Sequence, residues 1–501
     1  MRAVLHPQMS LGEEDIAKIK LDPKSRDDIP QLLAGLQYIY TTPELRKAVF
    51  SILEEVVPRR VGPGKGGMAS TGKGRPGMEQ WKILVLGTLR LSLNADYDRI
   101  HELANQHRTV RQMLGHGFLD DQKQYHVQSL KDNLRLFTPE LLDRINQEVV
   151  RAGHVLLKKK APDLSASCDS FVVKTDVHFP TDINLLFDAI RKTIEECAHL
   201  CECCNLTDWR QSRHNIKTFK KKYRLIQKLK HSTSKDEAKR LAHEGKIKQS
   251  HQSYLDQAED ILARARATRQ LLTAHPTALF ILLCDLDSYI AHAERQIQQI
   301  RSRVLEGKTI PHGEKVFSIF QPHTEWISKG KAGVPVELGL RVCVMEDRSG
   351  FILHHRVMQQ ETDEQIAVAM VAATKERFPC LNLCSFDKGF HSPQNQRDLK
   401  TELATVVLPK KGRLSEADRE REFSPEFVAA RNQHSAVESA INALGVHGLD
   451  LCRDHGIDGF KRYVALAVVA RNIQRLGATV RSLAAQKRGP YKKRDPNNLA
   501  A

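Results

Sequence analysis

The sequence lacks any apolar run long enough to cross a bilayer. Its longest apolar stretches, 278–284 and 463–470, fall far short of the roughly 20 residues that a spanning helix needs. The opening segment 1–7 also lacks the apolar core of a signal peptide. Ten cysteines without such a signal are expected to stay as reduced thiols. These absences argue against a membrane or secreted protein, and we expect a cytoplasmic one.

Two further patterns are incomplete. The segment 67–73 resembles a phosphate-binding P-loop, but position 74 is Gly instead of Ser or Thr, and no apolar strand precedes it. A flexible basic tether fits this glycine-rich stretch better. The second pattern is a cluster of cysteines whose spacing matches no established zinc finger. Buried thiols are favoured there, although zinc remains open. The cluster consists of Cys197, Cys201, Cys203 and Cys204.

Acidic residues are in short supply relative to basic ones. The chain has 77 Lys and Arg against 60 Asp and Glu, a net charge of +17, which points to a polyanionic partner such as nucleic acid. Within 209–250 there are fourteen basic residues against three acidic ones. A solvated helix is the alternative, but one sign dominates so strongly that we expect phosphate contacts. The predicted contacts in this segment are Lys217, Lys220, Lys221, Lys222, Arg224, Lys228 and Lys230. The basic tail at 487–494 is expected to grip phosphate in the same way.

The segment 81–117 has the compact helical periodicity of three short helices. Arg99, Arg108 and Arg111 lie on its polar faces, which suits a DNA-reading helix-turn-helix. A plain helical bundle with a solvated face explains the pattern equally well, and the sequence does not decide between them.

The remaining pattern predicts an α/β fold. A β-rich stretch at 165–180 is followed by a long helical tract, in which Leu286, Ile290 and Ile297 belong to a coiled-coil-like seam. Strands are then predicted near 334–345 and 351–358. A helix from about 363 to 377 follows, and helices and strands alternate from there up to about 444. Without the helical insertion, the order is three strands followed by alternating helix and strand.

Three acidic residues occupy comparable positions in this pattern. Asp169 lies in the first strand, Asp387 closes the apolar run 381–386, and Glu438 lies in a segment with helical periodicity. Two strand-end aspartates and one helical glutamate are able to converge on two divalent ions, as phosphodiester chemistry requires. Each acid also has an ordinary explanation: an edge-strand charge, a turn residue, and a capping box begun by Ser435. Together the three positions favour a catalytic site.

The chain resembles bacterial insertion-sequence transposases of the DDE class, most closely the group labelled ISNCY. The strings that carry this resemblance include Phe386-Asp-Lys-Gly-Phe-His-Ser-Pro-Gln-Asn395 and His434-Ser-Ala-Val-Glu-Ser-Ala-Ile-Asn-Ala-Leu444. The other matching stretches are 75–116, 169–182 and 317–331. The resemblance implies an RNase H-like mixed sheet flanked by helices, with a large helical insertion after the first strand and an N-terminal helical DNA-binding domain.

The resemblance also implies domain boundaries and partners. We expect an N-terminal helical segment (1–57), a basic linker (58–77), a helix-turn-helix-like domain (78–160), an RNase H-like catalytic domain (161–187 and 313–475), a basic helical insertion (188–312) and a basic tail (476–501). The partners are the element's terminal inverted repeats and target DNA. A homodimer or higher multimer on DNA is expected, located in the bacterial cytoplasm at the nucleoid.

The implied activity is metal-dependent strand cleavage and strand transfer. Asp169, Asp387 and Glu438 would be the DDE triad and would hold two Mg²⁺ or Mn²⁺ ions. Related families carry Tyr, Arg and Lys around the glutamate, whereas this chain has Arg431, His434 and Gly445 at those positions. Arg431 and His434 are still expected to contact phosphate. Supporting roles are expected for His178 and Asp182, which would orient the first strand, and for His391 and Asn395. The alternative is a transposase-derived DNA-binding protein that no longer catalyses.

Overall fold

A computed structural model describes residues 3–6, 8–9, 11–56, 77–117, 123–157, 164–229, 236–272, 279–328 and 335–487. Nearly all of the predicted linker, Lys230 and the last part of the basic tail lie outside these ranges. The described chain forms two compact units. The first contains the residues up to Asp176 and those from Ile327 onward, and the second runs from Val177 to Trp326.

The described elements are mostly helical. The helices are α1 (Asp28–Thr41), α2 (Pro43–Glu54), α3 (Gln80–Ser92), α4 (Tyr97–Gln106), α5 (Arg108–Met113), α6 (Val127–Leu134), α7 (Pro139–Leu156), α8 (Asp182–Cys203), α9 (Ser212–Leu229), α10 (Glu237–Leu271), α11 (Phe280–Ile300), α12 (Asp363–Arg377), α13 (Pro393–Glu402), α14 (Glu416–Glu422), α15 (Pro425–Gln433), α16 (Ser435–Leu444) and α17 (Gly456–Lys487). The strands are β1 (Leu164–Thr175), β2 (Glu325–Ser328), β3 (Val336–Asp347), β4 (Ile352–Val357), β5 (Leu381–Phe386), β6 (Thr405–Val407) and β7 (Leu451–Cys452). None of the described helices has the length and apolar character that a bilayer crossing requires.

The seven strands form one mixed sheet. β3 lies antiparallel to both β1 and β4, while β5 runs parallel to β1 and to β6. β2 pairs with β3, and β7 pairs with β1. Helices α7, α12, α16 and α17 pack against these strands. The α/β prediction is therefore confirmed as a mixed sheet flanked by helices.

The N-terminal helices share one hydrophobic core with the sheet. This core runs from Val4 to Leu476 along the chain. Every residue of α3 is buried, because its apolar residues surround the helix and leave no solvated face. At Gly35 of α1, an added Cβ would lie 2.1 Å from the carbonyl oxygen of Ile473 in α17, so glycine permits this close helix approach. The segments 1–57 and 78–160, predicted as separate domains, thus belong to the same unit as the sheet.

The end of the first unit also differs from expectation. The predicted tail begins at 476, but α17 continues to Lys487. No Gly or Pro occurs between Gly477 and Lys487, so nothing in this stretch interrupts the helix before Gly489-Pro490. Leu476 at the predicted boundary is fully buried, and the segment that packs with the sheet therefore extends beyond residue 475.

The second unit is built from α8 to α11 around its own apolar core. Ion pairs join Arg266 to Glu294 and Arg269 to Asp287, which fixes α10 and α11 as antiparallel neighbours. The predicted seam is core, since Leu286, Ala293 and Ile300 are fully buried.

The second unit is longer than the predicted insertion, 188–312. Phe179 near its start contacts Trp326 at its end, with ring centroids 5.6 Å apart. Phe317 also packs on Trp326, at 5.7 Å. These aromatic contacts extend the unit at both ends.

Candidate active site

The two aspartates of the predicted triad lie side by side. Asp169 is within β1, and Cys168 is in register with Phe386 on the parallel strand β5. The next residues along the sequence are Asp169 and Asp387. Their backbones are therefore neighbours across the sheet, at the spacing of adjacent strands, roughly 4.8 Å. Since β1 pairs with β3 on one side and β5 on the other, the edge-strand explanation for Asp169 is wrong.

Asp387 begins a short 3₁₀ turn at Lys388–Phe390, and its side chain makes no capping hydrogen bond there. The turn is held instead by Asn395, whose Nδ2 donates to the carbonyl oxygens of Phe390 (2.8 Å) and Glu364 (2.7 Å). His391 is buried beside it. These contacts give Asn395 a structural supporting role and leave the Asp387 carboxylate exposed.

Glu438 projects from α16, which packs against β1 and β3. The helix is preceded by His434 at its N-cap, with no side-chain capping bond. Ser435 lies inside the helix, and its Oγ donates backward to the carbonyl of Asn432 at 2.9 Å. The capping-box explanation for Glu438 is therefore wrong, and its exposed carboxylate has no capping role.

The charges of these acids act on one another. The pKa of Asp169 is raised to about 6, chiefly by burial and in smaller part by the negative charges of Asp387, Asp363 and Glu438. The N–H of Ser170, which donates to Asp169 Oδ1 at 2.7 Å, opposes this rise. Four carboxylates are thus grouped closely enough to interact, which is unfavourable without a cation.

Asp363 was not predicted as a site residue. It is the first residue of α12, and its Oδ1 is buried with no hydrogen-bond partner among the described residues. A Cβ added at Gly389 would lie 3.3 Å from Asp363 Oδ2, so the glycine lets the Asp387 turn approach this carboxylate. The sequence signal for Asp363 was its position shortly after the predicted strand 351–358. The structure adds that this strand, β4, runs in the same direction as β5.

A chain of hydrogen bonds runs beside the acids. Ser167 Oγ lies 2.8 Å from Ser385 Oγ, which lies 3.0 Å from His434 Nδ1. The serines are two residues before Asp169 and Asp387, and therefore face the same side of the sheet. Burial lowers the pKa of His434, although the charges of Asp387 and Glu438 and the Ser385 bond oppose this. His434 Nε2 is buried and has no partner in the described part of the chain.

The acids do not converge fully in this arrangement. Across the described ranges, no group of three or more His, Cys, Asp or Glu side chains is placed to hold a metal ion. This finding also covers the Cys197–Cys204 cluster, in which Cys197 and Cys201 are buried and Cys203 is exposed. The buried-thiol interpretation holds for the first two.

The predicted DNA contacts on the helices differ in availability. Lys217, Lys220 and Lys221 are exposed along α9, as are Arg224 and Lys228. The ammonium group of Lys222 instead donates to the carbonyl and hydroxyl oxygens of Ser253, at 2.7 and 2.9 Å. This contact gives Lys222 a role in packing α9 against α10.

The three arginines predicted in 81–117 to contact DNA also differ in exposure. Arg99 and Arg108 are exposed. Arg111 is buried, and its Nη1 donates to the carbonyl oxygens of Ala104, Asn105 and Lys123. Arg111 therefore stabilises the helical segment. Arg431, near the triad, is exposed at the end of α15.

His178 and Asp182 have partners within the second unit. His178 Nε2 lies 3.4 Å from Asp188 Oδ2, and Asp182 Oδ2 accepts from Arg303 Nη1 at 2.7 Å. These contacts favour a role in that unit over the predicted orientation of the first strand.

Comparison with protein-family models, curated proteins and solved structures finds no significant match to this chain.

Proposed function

We propose that this chain is a DDE-class DNA transposase with an RNase H-like catalytic sheet, acting on the terminal inverted repeats of its own insertion sequence. The observation that carries the proposal is the pair formed by Asp169 in β1 and Asp387 directly after the parallel strand β5, with Glu438 on a helix that packs over β1. The first acid lies on the first strand, the second follows β5, and the third lies on a later helix, which is the order that the resemblance implies.

The strand arrangement supports the RNase H-like part of the proposal. Counted without β2 and β7, the strands are three antiparallel neighbours, β4, β3 and β1, continued by the parallel strands β5 and β6. The second unit enters between β1 and β3, as expected for an insertion after the first strand.

The donor set fits divalent magnesium. Carboxylate oxygens are the ligands that Mg²⁺ prefers, and the raised pKa of Asp169 indicates a site that a cation would stabilise. Asp169, Asp387 and Glu438 would hold the ions, after side-chain movement from the positions described. When bound, two such ions activate the attacking oxygen and neutralise charge on the leaving oxygen.

The protein's own groups position the DNA. His434 is held through Nδ1 by Ser385 and presents an imidazole whose pKa is lowered by burial. Its Nε2 is buried and has no partner among the described residues, so it would donate a hydrogen bond to a phosphate oxygen once side-chain movement exposes it. Arg431 and the exposed lysines of α9 supply positive charge for the DNA backbone. Water then cleaves a phosphodiester at the element end, and the freed 3′-hydroxyl attacks target DNA.

One observation favours the alternative, a DNA-binding protein without catalysis. No metal-binding group of three acids is formed among the described residues. A protein that retains the acids but cannot bring them together would bind element ends and leave them uncut.

The two functions are separated by incubating purified protein with labelled DNA that flanks its own gene, in Mg²⁺. The proposal predicts end cleavage and strand transfer. Asp387→Asn should abolish both and leave end binding intact or improved, since a charge near phosphate is removed. Asp260→Asn, an exposed mid-helix acid of α10, is the matched control and should behave as wild type. Binding without cleavage by the wild-type protein would refute the transposase proposal.

A further inference from the structure

The second unit contains a cavity of about 320 Å³ whose walls all belong to that unit. It lies between the segment that leads into α8, the π-helical turn Arg301–Leu305 that ends α11, and the segment that leads into β2. No role in the proposed triad chemistry accounts for it.

Two phenylalanine rings and one tryptophan ring line the cavity, those of Phe179, Phe317 and Trp326. Trp326 is central, with the ring centroids of Phe179 and Phe317 at 5.6 and 5.7 Å. Phe179 is 59% exposed. Rings that are held together at the wall of an open cavity offer flat apolar surface to a planar ligand.

Positive charge lies beside the rings. Arg303 and Lys315 line the same cavity, and both are exposed. Arg303 is paired with Asp182, whereas Lys315 forms no ion pair within the described chain. An aromatic wall with an available ammonium group matches a ligand that joins a planar ring to a phosphate. The exposed lysines of α9 in the same unit favour a nucleic acid as its source.

We infer that this cavity binds the base of an unpaired nucleotide in DNA, stacked on the aromatic wall, with its phosphate at Lys315 and Arg303. The identity of the nucleic acid rests on the proposed function. Extracting a paired base requires unstacking, so the cavity selects nucleotides that are already unpaired, as at a nicked or frayed end.

The experiment uses the full-length protein and a short duplex that contains one unpaired fluorescent adenine analogue. Stacking should quench the analogue on binding, and replacing that nucleotide by an abasic site should weaken binding about tenfold, within the range of one base–aromatic stack. Phe179→Ala should lose the quenching and bind both duplexes equally. Phe280→Ala, an equally exposed phenylalanine (65%) of the same unit, is the matched control and should discriminate as wild type does.

Intrinsic fluorescence gives a second measurement. Trp81 and Trp209 are buried, at 0 and 4% exposure, so the partly exposed Trp326 is the tryptophan that a bound base should quench. Trp326→Phe keeps a ring and should bind without that quenching. Equal wild-type affinity for the base-containing and abasic duplexes would overturn the inference. Equal quenching by a free mononucleotide at the same concentration would overturn the assignment to DNA.

The proposed function and this inference can fail separately. Asp387→Asn should keep the discrimination against the abasic duplex, because the catalytic acids do not line the cavity. Discrimination without cleavage by wild type would refute only the catalytic proposal. Cleavage without discrimination would refute only the base pocket.

Discussion

Replacing Asp169 by Asn should stabilise the protein at neutral pH. Burial and three neighbouring acids raise the pKa of Asp169 to about 6 from an ordinary value of 3.8. A difference of about two units corresponds to at most about 3 kcal/mol of folding free energy. Asn removes the charge, and its side-chain oxygen can still accept from the Ser170 N–H. The variant should therefore unfold at a higher temperature than wild type at pH 7.5.

The sign of the pH dependence follows from the raised pKa. Between about pH 4 and 6 the native protein holds a proton that the unfolded chain has released, so wild-type stability falls as pH rises through this window. Above about pH 6 the loss of folding free energy caused by the Asp169 charge is constant. The advantage of Asp169→Asn should thus be full at pH 7.5 and disappear near pH 3.5. Burial also raises the pKa of Glu346, to about 7, but this group is common to both proteins and cancels in the difference.

The assay is thermal unfolding of wild type, Asp169→Asn and the control Asp260→Asn across this pH range, with and without Mg²⁺. Mg²⁺ should raise the wild-type melting temperature and have a smaller effect on Asp169→Asn, because bound ligand stabilises the folded state. An Asn variant that is less stable than wild type at pH 7.5, or that is stabilised as much at pH 3.5 as at pH 7.5, would refute the raised pKa of Asp169.

Two further predictions concern positioning and DNA binding. Ser385→Ala removes the hydrogen-bond partner of His434 Nδ1. It should slow cleavage and leave affinity for the element end unchanged in a binding assay. Ser167→Ala, which is one hydrogen bond further from the His434 ring, should slow cleavage less. Replacing the exposed lysines of α9 with Gln should lower the slope of log affinity against log salt by roughly 3, since each phosphate contact contributes about 0.9. Lys222→Gln should instead lower the melting temperature and leave that slope nearly unchanged. The exposed lysines to be replaced together are Lys217, Lys220 and Lys221.

The positions of the three acids could be predicted because each depends on a short pattern. The apolar run 381–386 ends at Asp387, and the structure has β5 over the same residues. The helix predicted from 363 to 377 is α12 with the same ends. Local periodicity is enough for such elements.

The partners of the acids could not be predicted because they depend on strand register. The hydroxyl groups of Ser167 and Ser385 are in contact because the register of β1 and β5 places these two residues opposite each other. Asp363 lies near Asp169 through the placement of α12 next to β3, β4 and β5. Ser435 resembled a cap in sequence, but its hydroxyl bonds to the preceding turn. Strand register, helix placement and the partner of a hydroxyl group depend on tertiary packing, which short sequence patterns do not reveal.

The separation of β1 from its antiparallel partner also affects synthesis. Asp169 is paired with Val344, so the ribosome completes the whole second unit before that neighbour is made. At about 5–20 residues per second, β1 waits roughly 10–35 seconds for β3. Throughout this delay Val172 and Val173, which are buried in the finished sheet, have no strand beside them on that side. A nascent chain with this exposed strand edge is prone to aggregate and is suited to binding by a chaperone.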